Sequence, residues 1–235
     1  MLDVDHMTVA IGDAILLADI SLTVPAGETH VLLGPNGSGK STFLSAIMGL
    51  EPFELTAGTI RFRGIDLAGL GVSERAQHGI GMAFQRPPSI EGVSVAEFAA
   101  AVGGADRLAH GAELLDLEAF VDRDVAVGFS GGEIKRWEVL KLFLQKPDFF
   151  LFDEPESGVD MEHISAVGMA INELVAEPGP DGAKRGALLI THTGLILDYV
   201  NADQAHIMNG GRIIHSGPPK ELFAHIQASG YVAPG

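Results

Sequence analysis

Eight consecutive residues carry the clearest chemical signal in this sequence. They are Gly34, Pro35, Asn36, Gly37, Ser38, Gly39, Lys40 and Ser41. They match the pattern G-x-x-x-x-G-K-S/T in full, in which glycines let backbone N–H groups face phosphate oxygens. Lys40 is then placed for the β- and γ-phosphates, and the Ser41 hydroxyl for Mg²⁺. Because an apolar run precedes the motif and a predicted helix follows it, we prefer a phosphate-binding loop to a chance glycine-rich turn.

Two carboxylates end the apolar run FFLFDE at residues 149–154. Next to a bound triphosphate, Asp153 is expected to reach the Mg²⁺ shell and Glu154 to polarise the attacking water. Taken alone, acids in this position are also common as helix N-caps. The phosphate loop favours the catalytic interpretation.

Two more polar residues follow predicted strands. Gln85 follows the run 80–84, and its neutral amide suits a contact with Mg²⁺ or water. His192 follows the run 187–190 through Thr191, where a neutral imidazole suits a hydrogen bond to the γ-phosphate or to water. Without the phosphate loop, a surface glutamine and a structural histidine would be the simpler interpretations.

A second glycine-rich helix entrance lies far downstream, at Ser130-Gly131-Gly132-Glu133. The serine supplies a hydroxyl, and the glycines permit close approach of a ligand to the backbone. The helix dipole attracts an anion to the same place. The sequence therefore predicts two separate phosphate-binding surfaces in one chain.

Alternation of short apolar runs with helical patterns indicates an α/β fold. Strands are predicted over 3–9, 21–24, 29–33, 59–62, 80–84, 149–152, 187–190, 205–208 and 212–215. Helices are predicted over 41–48, 95–102 and 112–117, from Ser130, over 161–174 and after Pro218-Pro219. The Ala-rich segments from about 87 to 124 suggest an inserted helical lobe, and residues 177–186 a loop.

Composition excludes several kinds of partner. The 235 residues carry a formal net charge of −16 with 15 Lys and Arg, too few for a basic stripe that binds nucleic acid. With no cysteine, the chain itself forms no disulfide and ligates no cluster. Neither a signal peptide nor an apolar stretch of about 18 residues is evident, so we expect a cytoplasmic protein without membrane insertion.

Six segments, in this order, resemble the motifs of ABC-type ATPases: Gly34–Ser41, Gln85, Ser130–Glu133, Asp153-Glu154, Ser157–Asp160 and His192. The resemblance implies ATP and Mg²⁺ as ligands, with Thr42, Glu133 and Asp160 added to the nucleotide contacts and Lys40, Gln85, Glu154 and His192 catalytic. It also implies a homodimer that forms on ATP binding, in which Ser130-Gly131-Gly132 holds the γ-phosphate of the partner's nucleotide.

That resemblance covers nearly the whole chain and implies one domain over residues 1–235 with a P-loop NTPase core of the ABC-ATPase type. Residues 1–86 and 146–235 would form the catalytic core with an antiparallel β subdomain. Residues from about 87 to 145 would form a helical subdomain that carries the second glycine-rich turn.

Local sequence is more similar to the ATPases of the SUF iron–sulfur cluster assembly machinery than to transporter ATPases. The similar segments are Ala83–Pro87, Ile90–Ser94, Gly128–Glu133 with Lys135-Arg136, Ser157–Asp160, Ile196–Tyr199 and Gly230-Tyr231. Such a resemblance implies a scaffold partner of the SufB/SufD type. Pro155, Thr193 and Ile11 depart from the pattern and suggest a divergent, minimal SUF-like branch.

Three alternatives differ in partner or activity. A nucleotide-binding subunit of an ABC membrane transporter would use the same catalytic residues, but Phe129, Glu133 and Gly158 favour the SUF type. A module that binds ATP without hydrolysing it would need neither Glu154 nor His192. A DNA-repair ABC ATPase would carry long coiled-coil insertions and basic patches, which this sequence lacks.

Overall fold

A computed structural model describes residues 1–85, 87–179 and 182–233. Arg86, in the Ala83–Pro87 stretch, and Pro180 and Asp181, in the predicted loop 177–186, lie outside the described residues.

Twelve strands form in the described part of the chain. They are β1 (Leu2–Ile11), β2 (Ala14–Val24), β3 (Thr29–Leu33), β4 (Glu54–Phe62), β5 (Ile65–Asp66), β6 (Ile80–Ala83), β7 (Ile90–Ser94), β8 (Asp124–Val125), β9 (Phe149–Asp153), β10 (Gly186–Thr191), β11 (Gln204–Asn209) and β12 (Arg212–Gly217).

Seven α-helices accompany these strands in the same residues. They are α1 (Lys40–Met48), α2 (Val72–Gln77), α3 (Val95–Ala101), α4 (Leu108–Leu114), α5 (Gly131–Gln145), α6 (Met161–Ala176) and α7 (Pro219–Ser229). Among the described helices, none has both the length and the apolar character required to cross a membrane.

The central sheet has six strands in the order β12-β11-β3-β10-β9-β6. Neighbouring strands from β11 to β6 run parallel, and β12 pairs antiparallel at the edge. Packing on both faces of such a sheet buries its parallel strands, and every residue of β3, β6, β9 and β10 is buried. The predicted α/β fold class is confirmed, and the strands predicted over 29–33, 149–152 and 187–190 are present.

Strand β9 shows why the central sheet is buried on both faces. Phe149 and Leu151 pack into the core on the α1 side, whereas Phe150 and Phe152 pack into the core with α5 and α6. All five residues of β9 are buried. Since successive side chains of a strand point to opposite faces, one apolar run serves both cores and fixes the position of Asp153 at its end.

A second, antiparallel sheet has the order β2-β1-β4-β5. The strand predicted over 21–24 is present but longer than predicted, because β2 runs from Ala14 to Val24. Asp19 adopts a positive φ of 57° and the pairing with β1 shifts register several times. Such bulges break the two-residue alternation on which the sequence prediction depended.

Residues 87–124 are less purely helical than predicted. β7 and β8 form a two-stranded antiparallel sheet within and just beyond this segment. The helix predicted over 112–117 instead spans Leu108–Leu114, because Asp116 takes a positive φ of 51° just after it. Leu115 and Leu117 are nevertheless buried in the core, so their apolar spacing came from packing rather than from a helix.

Buried histidines join β3 to β11 at the centre of the sheet. His206 Nε2 lies 3.0 Å from His30 Nδ1, and His30 Nε2 lies 2.9 Å from a carboxylate oxygen of Glu28. His206 Nδ1 is 2.7 Å from Ser216 Oγ. Burial, reinforced by repulsion from His30, lowers the pKa of His206 to about 3. His206 is therefore neutral in the folded protein.

We predict that this histidine makes folding sensitive to acid. Its pKa is about 3 in the folded state and about 6.5 when unfolded, so its contribution is complete above pH 6.5 and is lost as pH falls towards 3. Between pH 6.5 and 4.5, His206→Gln should lose about 2 kcal/mol less unfolding free energy than the wild type. Urea denaturation at several pH values in this range measures the loss of unfolding free energy, with exposed His78→Gln as the control. The same pH dependence in His206→Gln and in the wild type would contradict the prediction.

Candidate active site

A cavity of about 390 Å³ opens where β3, β6, β9 and β10 end. It is lined by Leu16, Asn36, Gly37, Ser38, Gly39, Lys40, Ser41, Thr42, Gln85, Glu154 and His192. Carboxyl ends of neighbouring parallel strands meet at one edge of a sheet, and ligands of open α/β sheets bind there. Most of the residues predicted from sequence to bind phosphate or to act on it thus surround one space.

The N-terminal end of α1 faces this cavity without a cap. Gly39 precedes the helix at φ 105°, no side chain caps its N-terminus, and the first turn lacks acidic residues. Uncapped N–H groups and the positive end of the helix dipole together attract an anion. The local backbone therefore suits phosphate.

Lys40 is held inside its own loop. Its ammonium donates hydrogen bonds to the carbonyl oxygens of Gly34 at 2.8 Å and Pro35 at 3.0 Å. Gly34 and Pro35 do not line the cavity themselves; they act by fixing this lysine. Burial lowers the pKa of Lys40, while the negative charges of Glu154 and Asp153 oppose that shift.

The Ser38 hydroxyl is the third notable group of the loop. Ser38 is 3% exposed, and its Oγ has no hydrogen-bond partner among the described residues. An unpaired buried hydroxyl is costly unless a ligand or water satisfies it. Its position on the cavity wall suits a hydrogen bond to a phosphate oxygen.

Three oxygen- or amide-bearing side chains suit Mg²⁺. Ser41 Oγ donates to Asp153 Oδ1 at 3.1 Å, and Gln85 lines the same cavity. Mg²⁺ prefers oxygen ligands and is usually held by one or two carboxylates together with substrate phosphates. No cluster of three His, Cys, Asp or Glu able to hold a metal by itself occurs in the described ranges, and the observed set fits an ion bound together with a nucleotide.

Glu154 and His192 form a close pair at the opposite wall. Glu154 Oε1 lies 3.0 Å from His192 Nδ1, and Gln85 Nε2 lies 3.5 Å from the other carboxylate oxygen. The backbone of Glu154 has a positive φ of 51°, a conformation that costs a non-glycine residue on the order of 1 kcal/mol. Strain of this kind is concentrated at functional sites, and here it presents the carboxylate to the cavity.

The second glycine-rich turn lies outside this cavity. Ser130 caps α5: its Oγ accepts from Glu133 N at 3.4 Å and its own N–H donates to the Glu133 carboxylate at 2.6 Å. Gly132 packs on Gly158, whose carbonyl would lie 3.0 Å from an added Cβ. Asp160, predicted to contact nucleotide, is exposed at the start of α6 and is likewise not among the cavity-lining residues.

Two residues that lie near the site were assigned no role in it from sequence. Leu16, from β2, lines the cavity. Lys135 is buried and donates to the Asp153 carbonyl at 3.0 Å. Burial lowers the pKa of Lys135 and raises that of Asp153. Only the charge of Lys135 within the first half of α5 hinted at this contact.

Comparison with known proteins agrees with the geometry. A model of the family described as ABC transporter matches residues 17–157. The chain belongs to the ABC transporter family. Within that family it is an ABC-type ATPase with an ATP-binding site, as the resemblance of the motifs implied.

Two curated relatives are similar over nearly their whole length. The chain is 38% identical to the "Probable ATP-dependent transporter SufC" of Escherichia coli (strain K12), covering 98% of this chain and 97% of that protein. It is 36% identical to a probable ATP-dependent transporter of Synechocystis sp., with coverages of 98% and 94%.

Solved structures show the same fold. A nucleotide-free ATP-binding cassette from an ABC transporter superposes with a TM-score of 0.81 at 23% identity, covering 100% of this chain and 99% of that one. A dimeric, post-hydrolysis ATP-binding cassette bound to ADP and Pi gives 0.78 at 20% identity, with coverages of 93% and 99%. At these identities the likeness shows the fold alone.

Replacing Lys40 tests the phosphate loop. Lys40→Ala removes the ammonium that its loop carbonyls position, so we expect kcat/KM for ATP to fall by more than about 100-fold. ATPase assays and calorimetric titration with ATP measure the loss. Lys220→Ala, which removes an exposed lysine at the start of α7, is the charge-matched control. Unchanged affinity and turnover in Lys40→Ala would contradict the assignment.

Proposed function

We propose that this chain hydrolyses ATP in a head-to-tail homodimer and thereby drives a conformational change in an iron–sulfur cluster assembly scaffold. One observation carries the proposal: the two predicted phosphate-binding surfaces of the chain are separate. The cavity brings together Lys40, Glu154 and His192, whereas Ser130 lies outside it. Two half-sites in one chain suit two copies that complete each other's sites.

Within one half-site the proposed roles follow from position. Lys40 and the N-terminal N–H groups of α1 hold the phosphates, and Glu154 accepts a proton from the attacking water. His192 would donate a hydrogen bond to the γ-phosphate or orient the attacking water. Its ring is placed for this by its contact with Glu154. Ser41, Gln85 and Asp153 would hold Mg²⁺, which supplies neutralisation of the developing phosphate charge.

The second half-site is suited to accept a phosphate from outside. Ser130 is exposed, and the space beyond Gly131 is open, with no atom within 4 Å of an added Cβ. Ser130 Oγ accepts the capping hydrogen bond through a lone pair, so its O–H remains able to donate. The capped helix also directs its positive end there. A structurally similar cassette has been solved as a dimer, which supports this arrangement.

Glu154→Gln tests the shared site. The amide cannot take the proton, so we expect kcat to fall by more than about 100-fold while ATP binding persists. ATP would then hold two chains together, giving twice the monomer mass in size-exclusion chromatography with light scattering. Mg-ADP with the same variant, and exposed Glu162→Gln with Mg-ATP, are the controls. Normal ATP binding by a persistent monomer would overturn the dimer model.

The SUF-type role rests on similarity along the whole chain. The 38% identical relative is named SufC, and Phe129, Glu133 and Gly158 match the SUF pattern. Because the chain has no cysteine, cluster chemistry would belong to a SufB/SufD-like scaffold. The matching family model and a relative are described as transporters. The alternative role is therefore a subunit that energises a membrane transporter, and the SUF-type role is tested against it.

A second cavity is our candidate for the scaffold-binding surface. It holds about 270 Å³ and lies between α2, β6 and α5. Its apolar wall consists of Met48, Val72, Ala76, Ile80, Met82, Phe84, Pro87, Pro88, Ile90, Phe98, Val125 and Trp137. An apolar groove of this kind suits an amphipathic helix or loop of the scaffold.

The position of this groove connects it to the catalytic cavity. Phe84 lies in the groove and Gln85, the next residue, lines the nucleotide cavity. The backbone N–H of Phe84 donates to Glu138 on α5 at 2.5 Å, and Lys141 lies 4.7 Å from the Phe84 ring centroid. A partner that displaces Phe84 would therefore move Gln85 relative to Glu154.

Partner capture tests the SUF-type role. The tagged chain would be expressed at native level, purified without oxygen, and its partners identified by mass spectrometry with iron and sulfide assays. We expect a stoichiometric, cysteine-bearing scaffold that carries iron and sulfide. Capture of a polytopic membrane protein would instead assign the chain to a transporter.

A pair of variants tests the groove. Ile90 lines it and is 36% exposed, whereas Ile65 on β5 is 41% exposed and does not line it. Ile90→Glu should weaken capture of the scaffold at least about 10-fold by placing a charge in an apolar contact, and Ile65→Glu should not. Equal capture by both variants would rule out the groove.

A further inference from the structure

Two threonines flank His192, and one carboxyl group binds both of them. The hydroxyl of Thr191 donates to Glu156 Oε1, and that of Thr193 donates to the same oxygen at 3.0 Å. Each threonine Oγ1 also accepts a backbone hydrogen bond, from Gly194 N at 2.9 Å and from Leu195 N at 3.3 Å. The turn that carries His192 is thus closed around Glu156.

Glu156 is an unusual residue to find in this place. It is only 4% exposed, and its second oxygen, Oε2, is buried without a hydrogen-bond partner among the described residues. Burial raises its pKa, against the lowering effect of the two threonine hydroxyls. A buried carboxyl group costs stability unless hydrogen bonds compensate it, and here one of its two oxygens has none within the described part of the chain.

What these contacts achieve is control of the imidazole position. Thr191 is the last residue of β10, so its hydrogen bond ties the end of the strand to the segment after β9. Thr193 ties the far side of His192 to the same carboxyl group. His192 is the single residue between Thr191 and Thr193, and its Nδ1 lies 3.0 Å from Glu154 Oε1.

We propose that Glu156 is a positioning residue for the ATPase reaction, acting on His192 through Thr191 and Thr193. Glu154 and Glu156 lie on one turn of chain, and His192 and its threonines lie on another. The Glu156 contacts therefore hold one turn against the other at the distance at which Glu154 meets His192. This inference rests on the role proposed above for His192.

Removal of the carboxyl group should affect turnover more than binding. Glu156→Ala is expected to lower kcat by about 10- to 100-fold with KM for ATP changed less than about 3-fold, because misplacement of a catalytic group costs rate rather than affinity. Glu156→Gln keeps an acceptor oxygen and the shape of the side chain, so it should retain at least a third of kcat. Thr193→Val, a smaller change in case Glu156→Ala fails to fold, should show an intermediate loss.

A double-mutant cycle with His192→Ala separates positioning from general stability. If Glu156 acts through His192, then Glu156→Ala should lower kcat less than about 2-fold further in the His192→Ala background. An equal loss in both backgrounds would overturn the proposal, as would equal losses for Glu156→Ala and Glu156→Gln. Glu173→Gln, which removes an exposed carboxylate on α6, should leave kcat unchanged.

The same cycle distinguishes failure of the earlier assignment. If His192→Ala alone retains wild-type kcat, the catalytic role of His192 is wrong, and the positioning proposal falls with it. If His192→Ala loses activity and Glu156→Ala adds its full effect, the role of His192 stands and the positioning proposal alone is wrong.

Discussion

Two hydrogen bonds from the Lys40 ammonium to its own loop carbonyls fix the shape of the phosphate loop. That interaction keeps the carbonyl dipoles of Gly34 and Pro35 turned towards the lysine. It places a positive charge where burial disfavours it, so the surroundings must supply negative charge. Asp153 and Glu154 supply it from the end of β9. The parallel sheet, buried on both faces, is what holds those carboxylates in register with the loop.

The active-site cavity is consequently formed by chain segments that are remote in sequence but lie at the same edge of the sheet. The phosphate loop, Gln85, Glu154 and His192 each follow the carboxyl end of a different parallel strand. Helices and the antiparallel sheet cover the strand faces and leave this edge free. These segments come together once the strands pair in the correct order. Packing in two cores, one on each face of the sheet, stabilises that order.

Sequence alone predicted the elements that repeat a strong local pattern. The phosphate loop, the strand predicted over 149–152 and the helix predicted from Ser130 have signals that depend on neighbouring residues only. Contacts between distant segments left no such signal. The role of Leu16 depends on how β2 twists past the loop, and that of Glu156 depends on where β10 ends. Bulges in β1 and β2 likewise arise from the pairing of the two strands. The periodicity of apolar residues along either strand does not indicate them.

The capping box at Ser130 and Glu133 has a consequence for the conformational entropy that would be lost when copies of the chain associate. Because α5 completes its own first turn through this capping box, the proposed second phosphate surface is preorganised and would meet a nucleotide without first ordering a loop. Little conformational entropy is then lost on closure. In the proposed dimer the bridging phosphate would contribute to the affinity between the copies, so its cleavage would weaken their association.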